Sequence, residues 1–290
     1  MTGISEQAHE PVFSLAHLSA LDLTPPELVI TAADAGYSYV GLRLVAVTPG
    51  GPAWALWNDR AVMAGTKSRM AETGVGVLDV ELVKLLPTVD VKSFEPCFAA
   101  AAELGARHVL TQADDPVFER VSGNYAALCD LAASYGLTCD IEFIPWLETN
   151  DLSSARKLIS SAGRDNCGLM IDTLHFARAS CDLDELLMCR EEWFHYVQLC
   201  DAPLAPPGSI DGLINAAREE RLFPGDGELD LVGILDNLPR SIVIGIEIPS
   251  ETLSFTSGPE ARARMAREAA LRLFQDKGHP GRHQTARRRS

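Results

Sequence analysis

Five polar residues interrupt runs that are otherwise apolar. Glu142 stands in "DIEFI", Asp172 and His175 in "MIDTLH", Gln198 in "YVQLCD" and Glu247 in "GIEIP". An ionised carboxylate in apolar surroundings costs several kcal/mol unless something neutralises it. In extended chain, side chains alternate between faces. Glu142 then shares a face with Asp140 and Ile144, Asp172 with Met170, Gln198 with Tyr196 and Cys200, and Glu247 with Val243 and Gly245. Gly245 is small and leaves room near that face. If the four runs are neighbours with these faces inward, three carboxylates and one amide carbonyl converge. Such a group repels itself unless a cation sits within it. An all-oxygen set suits a hard divalent ion, Mn²⁺ or Mg²⁺, with Co²⁺ as a third choice. His175, three residues past Asp172, then lies within reach of a substrate oxygen. Glu81 and Asp201 also fall near the ends of apolar runs. Any one of these residues alone equally suits a loop contact or a helix cap; the set carries the argument.

The elements that must position this set are legible in the same way. Eight β-rich runs occur at 13–19, 39–45, 75–83, 108–114, 138–146, 167–176, 194–203 and 242–250. Amphipathic stretches separate them, such as "PPELVITAADAG", with Pro at its start and Gly at its end. Alternating β and α segments form parallel sheets. Eight units match a single (β/α)₈ TIM barrel, an α/β fold, spanning 12–275. The alternative, an open doubly wound sheet, lacks its usual GxGxxG turn. In such barrels chemistry collects at the C-terminal ends of the strands, where the polar set lies. The stretch 202–230 reads as an active-site loop with a short helix. Residues 1–11 and 276–290 are expected to be disordered.

Composition narrows the classes. The 290 residues carry a net charge of −15, which disfavours nucleic acid and anionic membrane surfaces as partners. Seven cysteines without a CxxC pair suggest reduced thiols and a cytoplasmic protein. The start "MTGISEQAHEPV" lacks a signal-peptide pattern, and no apolar run is long enough to suggest a membrane span. No nucleotide, flavin or pyridoxal site is visible, and no Walker-type loop or Lys/Arg cluster at the strand ends suggests a phosphate site.

At "IEF", "DTLH", "QLCD" and "IEIP" the sequence resembles the xylose isomerase-like TIM-barrel superfamily, over about residues 12 to 275. "RLFPGDGELDLVGIL" (221–235) resembles the Arg…Pro-Gly-x-Gly-x-Asp segment of many members. The resemblance implies Glu142, Asp172, Gln198 and Glu247 as metal ligands and His175 as a substrate contact. It implies Glu142 and Glu247 as proton-transfer groups on opposite faces of the substrate. Arg221 would contact substrate or brace its loop. Gln198 departs from the His usual in ketose epimerases and is similar to the 3-dehydroshikimate dehydratase branch. Arg43 replaces the Glu many members carry on strand two. It would hold a substrate carboxylate or hydroxyl, or bridge to Glu81, a further candidate substrate contact.

Such a metal, chelated by a carbonyl and an adjacent hydroxyl, acidifies the neighbouring C–H and yields a metal-bound enediolate. The expected function is therefore a divalent-metal-dependent isomerase or epimerase of a small keto-sugar or polyhydroxy ketone. The first alternative is a dehydratase of the 3-dehydroshikimate or inosose type. The second is a non-catalytic metal- or sugar-binding barrel. A nuclease of the endonuclease IV type is disfavoured by charge and by few histidines, with only His17, His108, His175 and His195 read within strands. A homo-oligomer is expected.

Overall fold

The computed structural model describes residues 11–48 and 50–277. Eight parallel strands close into one barrel in the order β1 to β8. They are β1 (Phe13–Leu15), β2 (Tyr39–Arg43), β3 (Gly76–Leu85), β4 (His108–Ala113), β5 (Thr138–Glu142), β6 (Cys167–Asp172), β7 (Phe194–Leu199) and β8 (Val243–Ile246). The outer ring comprises α1 (Pro25–Ala35), α2 (Arg60–Thr73), α3 (Glu95–Glu103), α4 (Phe118–Ala133), α5 (Leu152–Ala162), α6 (Thr173–Arg178), α7 (Leu183–Leu186), α8 (Ile210–Glu219), α9 (Leu231–Asp236), α10 (Glu251–Thr256) and α11 (Pro259–Lys277). The (β/α)₈ expectation therefore holds, and the open sheet is excluded. The expected loose ends at 1–11 and 276–290 lie almost wholly outside the described residues; α11 continues to Lys277.

Local signals explain the boundaries. Thr24 and Glu27 form a capping box ahead of α1, Pro25 opens the helix, and Gly36 ends it at φ 81°. Asp151 caps α5 through Ser154 N–H at 2.7 Å. Such caps stabilise a helix start by about 1 kcal/mol. The large apolar layer lies between strands and helices, with Leu28, Phe98, Tyr125, Leu158 and Ile171 among its buried members. A smaller cluster, Leu78, Leu82, Leu110, Met170 and Tyr196, fills the barrel interior. The barrel is thus a packed core with a floor under its mouth.

Two of the four histidines read within strands fall elsewhere. The run 167–176 stops being a strand at Asp172, because its Oδ1 accepts from Leu174 N–H at 2.8 Å and His175 N–H at 3.1 Å and starts α6. His175 therefore sits on a helix. His17 lies on a 3₁₀ turn over His17–Ala20. Among the described residues no helix is long and apolar enough to cross a membrane.

Candidate active site

Strand register brings the polar set together. Asp172 pairs in register with Gln198, and Gln198 with Gly245. A Cβ on Gly245 would press on Val197 O at 3.3 Å and Gln198 Cγ at 3.5 Å, so glycine eases the close approach of β7 and β8. Glu247 follows β8 directly and still bonds across the barrel wall, its N–H donating to Leu199 O at 3.2 Å. Glu142 ends β5.

The centre of the set is a guanidinium. Arg221 is 2% exposed. Its Nη1 donates to Asp172 Oδ2 at 2.6 Å, and its Nη2 lies 3.0 Å from Glu247 Oε2. Its Nε donates to Ala217 O at 2.7 Å, which fixes the plane. Asp172 therefore spends one oxygen on the α6 backbone and the other on Arg221. Asp201, which the sequence offered as a strand-end candidate, has a different part. Its carboxylate accepts from the N–H groups of Ala202, Gly225, Gly227 and Leu229 at 2.8 to 3.1 Å. It holds the 202–230 loop in the shape that delivers Arg221.

The acidities follow from these contacts. Burial pushes the Asp172 carboxyl up, but the charge and hydrogen bond of Arg221, with the His175 backbone N–H, outweigh it and hold it below the usual carboxylate range. Burial pushes Glu142 up to about 8, helped by the charges of Asp172 and Glu247 and opposed by Gln112. Burial raises Glu247 to about 7, with Arg221 opposing and Glu81 and Asp172 adding to the rise. Burial pushes the His175 imidazole down to about 4, so it is neutral. Its Nε2 is 3.8 Å from Glu142 Oε1, too far for a hydrogen bond, and its Nδ1 has no partner. Trp146 meets the ring edge-on at 5.3 Å between centroids.

Arg43 and Glu81 are paired, as the bridging alternative required. Nε and Nη2 of Arg43 donate to Glu81 Oε2 at 3.0 and 2.7 Å. The Arg43 backbone N–H donates to His17 Nδ1 at 3.0 Å, while His17 Nε2–H donates to Leu23 O at 3.0 Å.

A cavity of about 600 Å³ opens over this set, and Arg43, Glu142, His175, Arg221 and Glu247 line it. Glu81, Asp172 and Gln198 lie just behind its wall. Three lining residues were missed in the sequence. Gln112 donates from Nε2 to Glu142 Oε2 at 2.6 Å, Trp146 backs His175, and Lys84 projects from β3. Gln112 was findable, since it follows His108 and Leu110 on the inward face of β4. Trp146 was findable too, as the next residue on the face of Asp140, Glu142 and Ile144, whereas Lys84, just past the run 75–83, carried no such signal. The cavity also gathers Arg218 and Arg262 from outside the strands, so its lining is more basic than the strand ends suggested.

The residues present fit a hard divalent cation. Three carboxylates face one guanidinium. Gln198 spends its amide N–H on Glu247 Oε1 at 3.2 Å, which leaves its carbonyl oxygen buried with no partner. An acceptor-only atom in that position fits a cation. Donor atoms of Glu142, Asp172 and His175 lie within 4.8 Å of one another.

A family model, the xylose isomerase-like TIM barrel, matches residues 29–274. An inosose isomerase of Bacillus subtilis (strain 168) is 26% identical over 126 residues, 42% of this chain and 43% of that protein. The chain thus matches less than half the length of that relative. A 3-dehydroshikimate dehydratase of Pseudomonas aeruginosa is 32% identical over 109 residues, 37% of this chain and 17% of that protein. Among solved structures, the IolI protein with a bound zinc atom superposes with a TM-score of 0.75 at 18% identity. The match covers 91% of this chain and 98% of that one, and at this identity it speaks for the fold.

Proposed function

Because the chain belongs to the xylose isomerase-like TIM barrel family, we propose that it is a divalent-metal-dependent isomerase or epimerase of a small keto-sugar or polyhydroxy ketone. The observation that carries this reading is the pair Glu142 and Glu247. Both are buried, both line one cavity, and both are shifted toward neutrality. A group that titrates near the working pH exchanges protons most effectively as general acid and base. Two such groups allow removal of a proton at one position and its return at another.

Glu142, Asp172, Gln198 and Glu247 would hold the cation, which when bound would polarise the substrate carbonyl as a Lewis acid. Mn²⁺, Mg²⁺ and Co²⁺ suit these oxygen donors. The remaining work belongs to this chain's own side chains. Glu142 or Glu247 removes the proton beside the carbonyl, and the other returns it. Gln112 orients Glu142 for this exchange. Neutral His175 lines the cavity and offers its Nε2, which makes no hydrogen bond, to a substrate hydroxyl. Arg43 and Lys84, on one side of the cavity, bind substrate oxygens further from the reacting carbons. The cavity suits a monosaccharide-sized ligand.

Gln198 favours a second reading, dehydration, in which a β-hydroxyl leaves from the same enediolate. One experiment separates the two. Keto-sugars and cyclic keto-acids are incubated in D₂O with Mn²⁺, Mg²⁺ or Co²⁺. Isomerase or epimerase chemistry returns substrate with deuterium beside the carbonyl and no other change in mass. An ultraviolet-absorbing product lighter by one water, with no exchange into any keto-sugar, rejects the first reading for the second.

A further inference from the structure

The opposite end of the barrel carries a second group of donors that the reaction does not use. His108 opens β4, Asp140 is the third residue of β5, and His195 is the second of β7. Their donor atoms lie within 4.8 Å of one another. His195 Nδ1 is 2.5 Å from Asp140 Oδ1, and His108 Nδ1 is 3.6 Å from Asp140 Oδ2. The two imidazoles stack, with centroids 5.2 Å apart and planes at 13°.

Two features of the backbone assemble this group. In the β6–β7 ladder Leu169 pairs with Phe194 but Ile171 pairs with Val197, so β7 carries one extra residue there. A bulge of this kind re-aims side chains. Here it turns two successive residues toward the interior: His195 reaches Asp140, and Tyr196 stacks on His108 at 5.3 Å. The second feature is Gly168, which stands opposite Asp140 in register. A Cβ at Gly168 would collide with Asp140 Oδ1 and His195 Nδ1, so the space they occupy exists because this residue is glycine.

One imidazolium would be enough to neutralise Asp140. A second imidazole, stacked on the first and turned to the same carboxylate, makes little sense as a further ion pair, because two stacked cations repel. Two neutral imidazoles and one carboxylate instead form a nitrogen-rich donor set for a borderline transition metal. Donors around tetrahedral zinc lie about 3.4 Å apart for bonds near 2.0–2.1 Å, and the two nitrogen–carboxylate separations bracket that value. The Asp140 side chain is fully buried, while the His195 side chain is 20% exposed, which leaves a route for a water as fourth ligand. Thr138 completes the surroundings: its hydroxyl donates to Asp140 Oδ2 at 2.6 Å and lies 2.8 Å from His108 Nδ1. Outer-shell bonds of this kind hold ligating carboxylates in place.

We propose that His108, Asp140 and His195 form a second metal site at the base of the barrel, taking Zn²⁺ or Co²⁺ and tying β4, β5 and β7 together. Entry of the ion displaces the proton between His195 and Asp140, which leaves to solvent, and moves the His108 proton from Nδ1, where it faces Thr138, to Nε2. The site differs from the all-oxygen set at the mouth in donor chemistry and lies at the other end of the strands.

The test uses the full chain, stripped with chelator, loaded with Mn²⁺, then titrated with Zn²⁺ and desalted. Total bound metal is counted by elemental analysis, so exchange of Mn²⁺ for Zn²⁺ at the mouth does not alter the count. Wild type should hold about two ions and His195→Gln about one, while Asp172→Ala should keep the ion at the base. The base ion should also raise the melting temperature of wild type but not of His195→Gln. If only the mouth site fails, wild type holds about one ion, lost in His195→Gln and kept in Asp172→Ala. Equal metal content in wild type and His195→Gln overturns the proposal. Should His195→Gln fail to fold, Co²⁺ added to Mn²⁺-loaded wild type decides: visible bands of a four-coordinate nitrogen site support it, and their absence rejects it.

Discussion

Replacing Arg221 by Met tests whether the guanidinium neutralises the buried carboxylates. The side chain is 2% exposed and sits 2.6 Å from Asp172 and 3.0 Å from Glu247. Without it, Asp172 must remain charged and unpaired or take up a proton. Protonating a carboxyl of ordinary pKa 3.8 at pH 7 costs about 4 kcal/mol. That agrees with the roughly 3–5 kcal/mol typical when one partner of a buried pair is removed. For a chain of this size each kcal/mol moves the melting temperature by about 2–4 °C. Chelator-treated Arg221→Met should therefore melt about 6–20 °C below wild type in calorimetry at pH 7. Saturating Mn²⁺ should narrow the gap, because a divalent ion neutralises the same carboxylates. Asp172→Asn added to Arg221→Met should recover part of the loss, with a coupling above about 1 kcal/mol. A drop below about 2 °C in the metal-free protein would refute the pairing as a source of stability.

Four further outcomes follow. Glu142→Gln and Glu247→Gln should each lower kcat by about 10²-fold or more in the D₂O exchange assay while the protein still melts cooperatively; retention of exchange by both would remove them from proton transfer. Gln112→Leu should lower kcat more than it raises KM, because it frees Glu142 without touching the cation's other donors; an unchanged kcat would show that Glu142 needs no such brace. Asp201→Ala removes an acceptor shared by four backbone N–H groups, so it should cost more than about 3 kcal/mol in urea melts and expose 202–230 to limited proteolysis. Burial lowers His17 from 6.5 to about 4, so the unfolded chain takes its proton first as pH falls. Stability from His17 is complete above about pH 6.5 and declines by about 3 kcal/mol down to about pH 4, and His17→Asn should show a correspondingly shallower acid decline in urea melts.

The barrel was legible because each strand is a short apolar run closed by a turn signal, and parallel strands buried on both faces leave that mark. The inward face was legible too, since alternation alone placed Glu142 with Asp140 and Asp172 with Met170. Alternation failed where the backbone departs from it. The extra residue in β7 brings His195 and Tyr196 to the same side, which no period of two foresees. The run 167–176 read four residues past the true strand end at Asp172, because side-chain capping of α6 has no signature apart from the Asp itself. The basic lining was hidden for another reason. Arg218 and Arg262 come from helices and enter the cavity only once the loops fold back over it. Asp201 looked like another strand-end candidate, and only its four backbone partners show that it shapes the loop instead.

The placement of charge along β5 explains why one barrel can carry polar groups at both ends. Asp140 and Glu142 lie two residues apart on the same inward face, close to 7 Å along the strand. Unscreened, two carboxylates at that spacing in the interior would oppose folding. Each is met by its own partners: Asp140 by Thr138 and the two imidazoles below, Glu142 by Gln112 above. Between these levels Leu110, Met170 and Tyr196 fill most of the axis, beside the buried Asp79 carboxyl, which burial and the charges of Glu81, Glu247 and Asp140 push well above the usual range. The apolar floor thus narrows the link between the two sets of charges to Asp79. It leaves Glu142 raised and ready to exchange protons at the mouth, while Asp140 is fixed at the base. Enlarging that floor's gaps, by Met170→Ala for example, should admit water between the levels and draw the Glu142 pKa back toward its ordinary value.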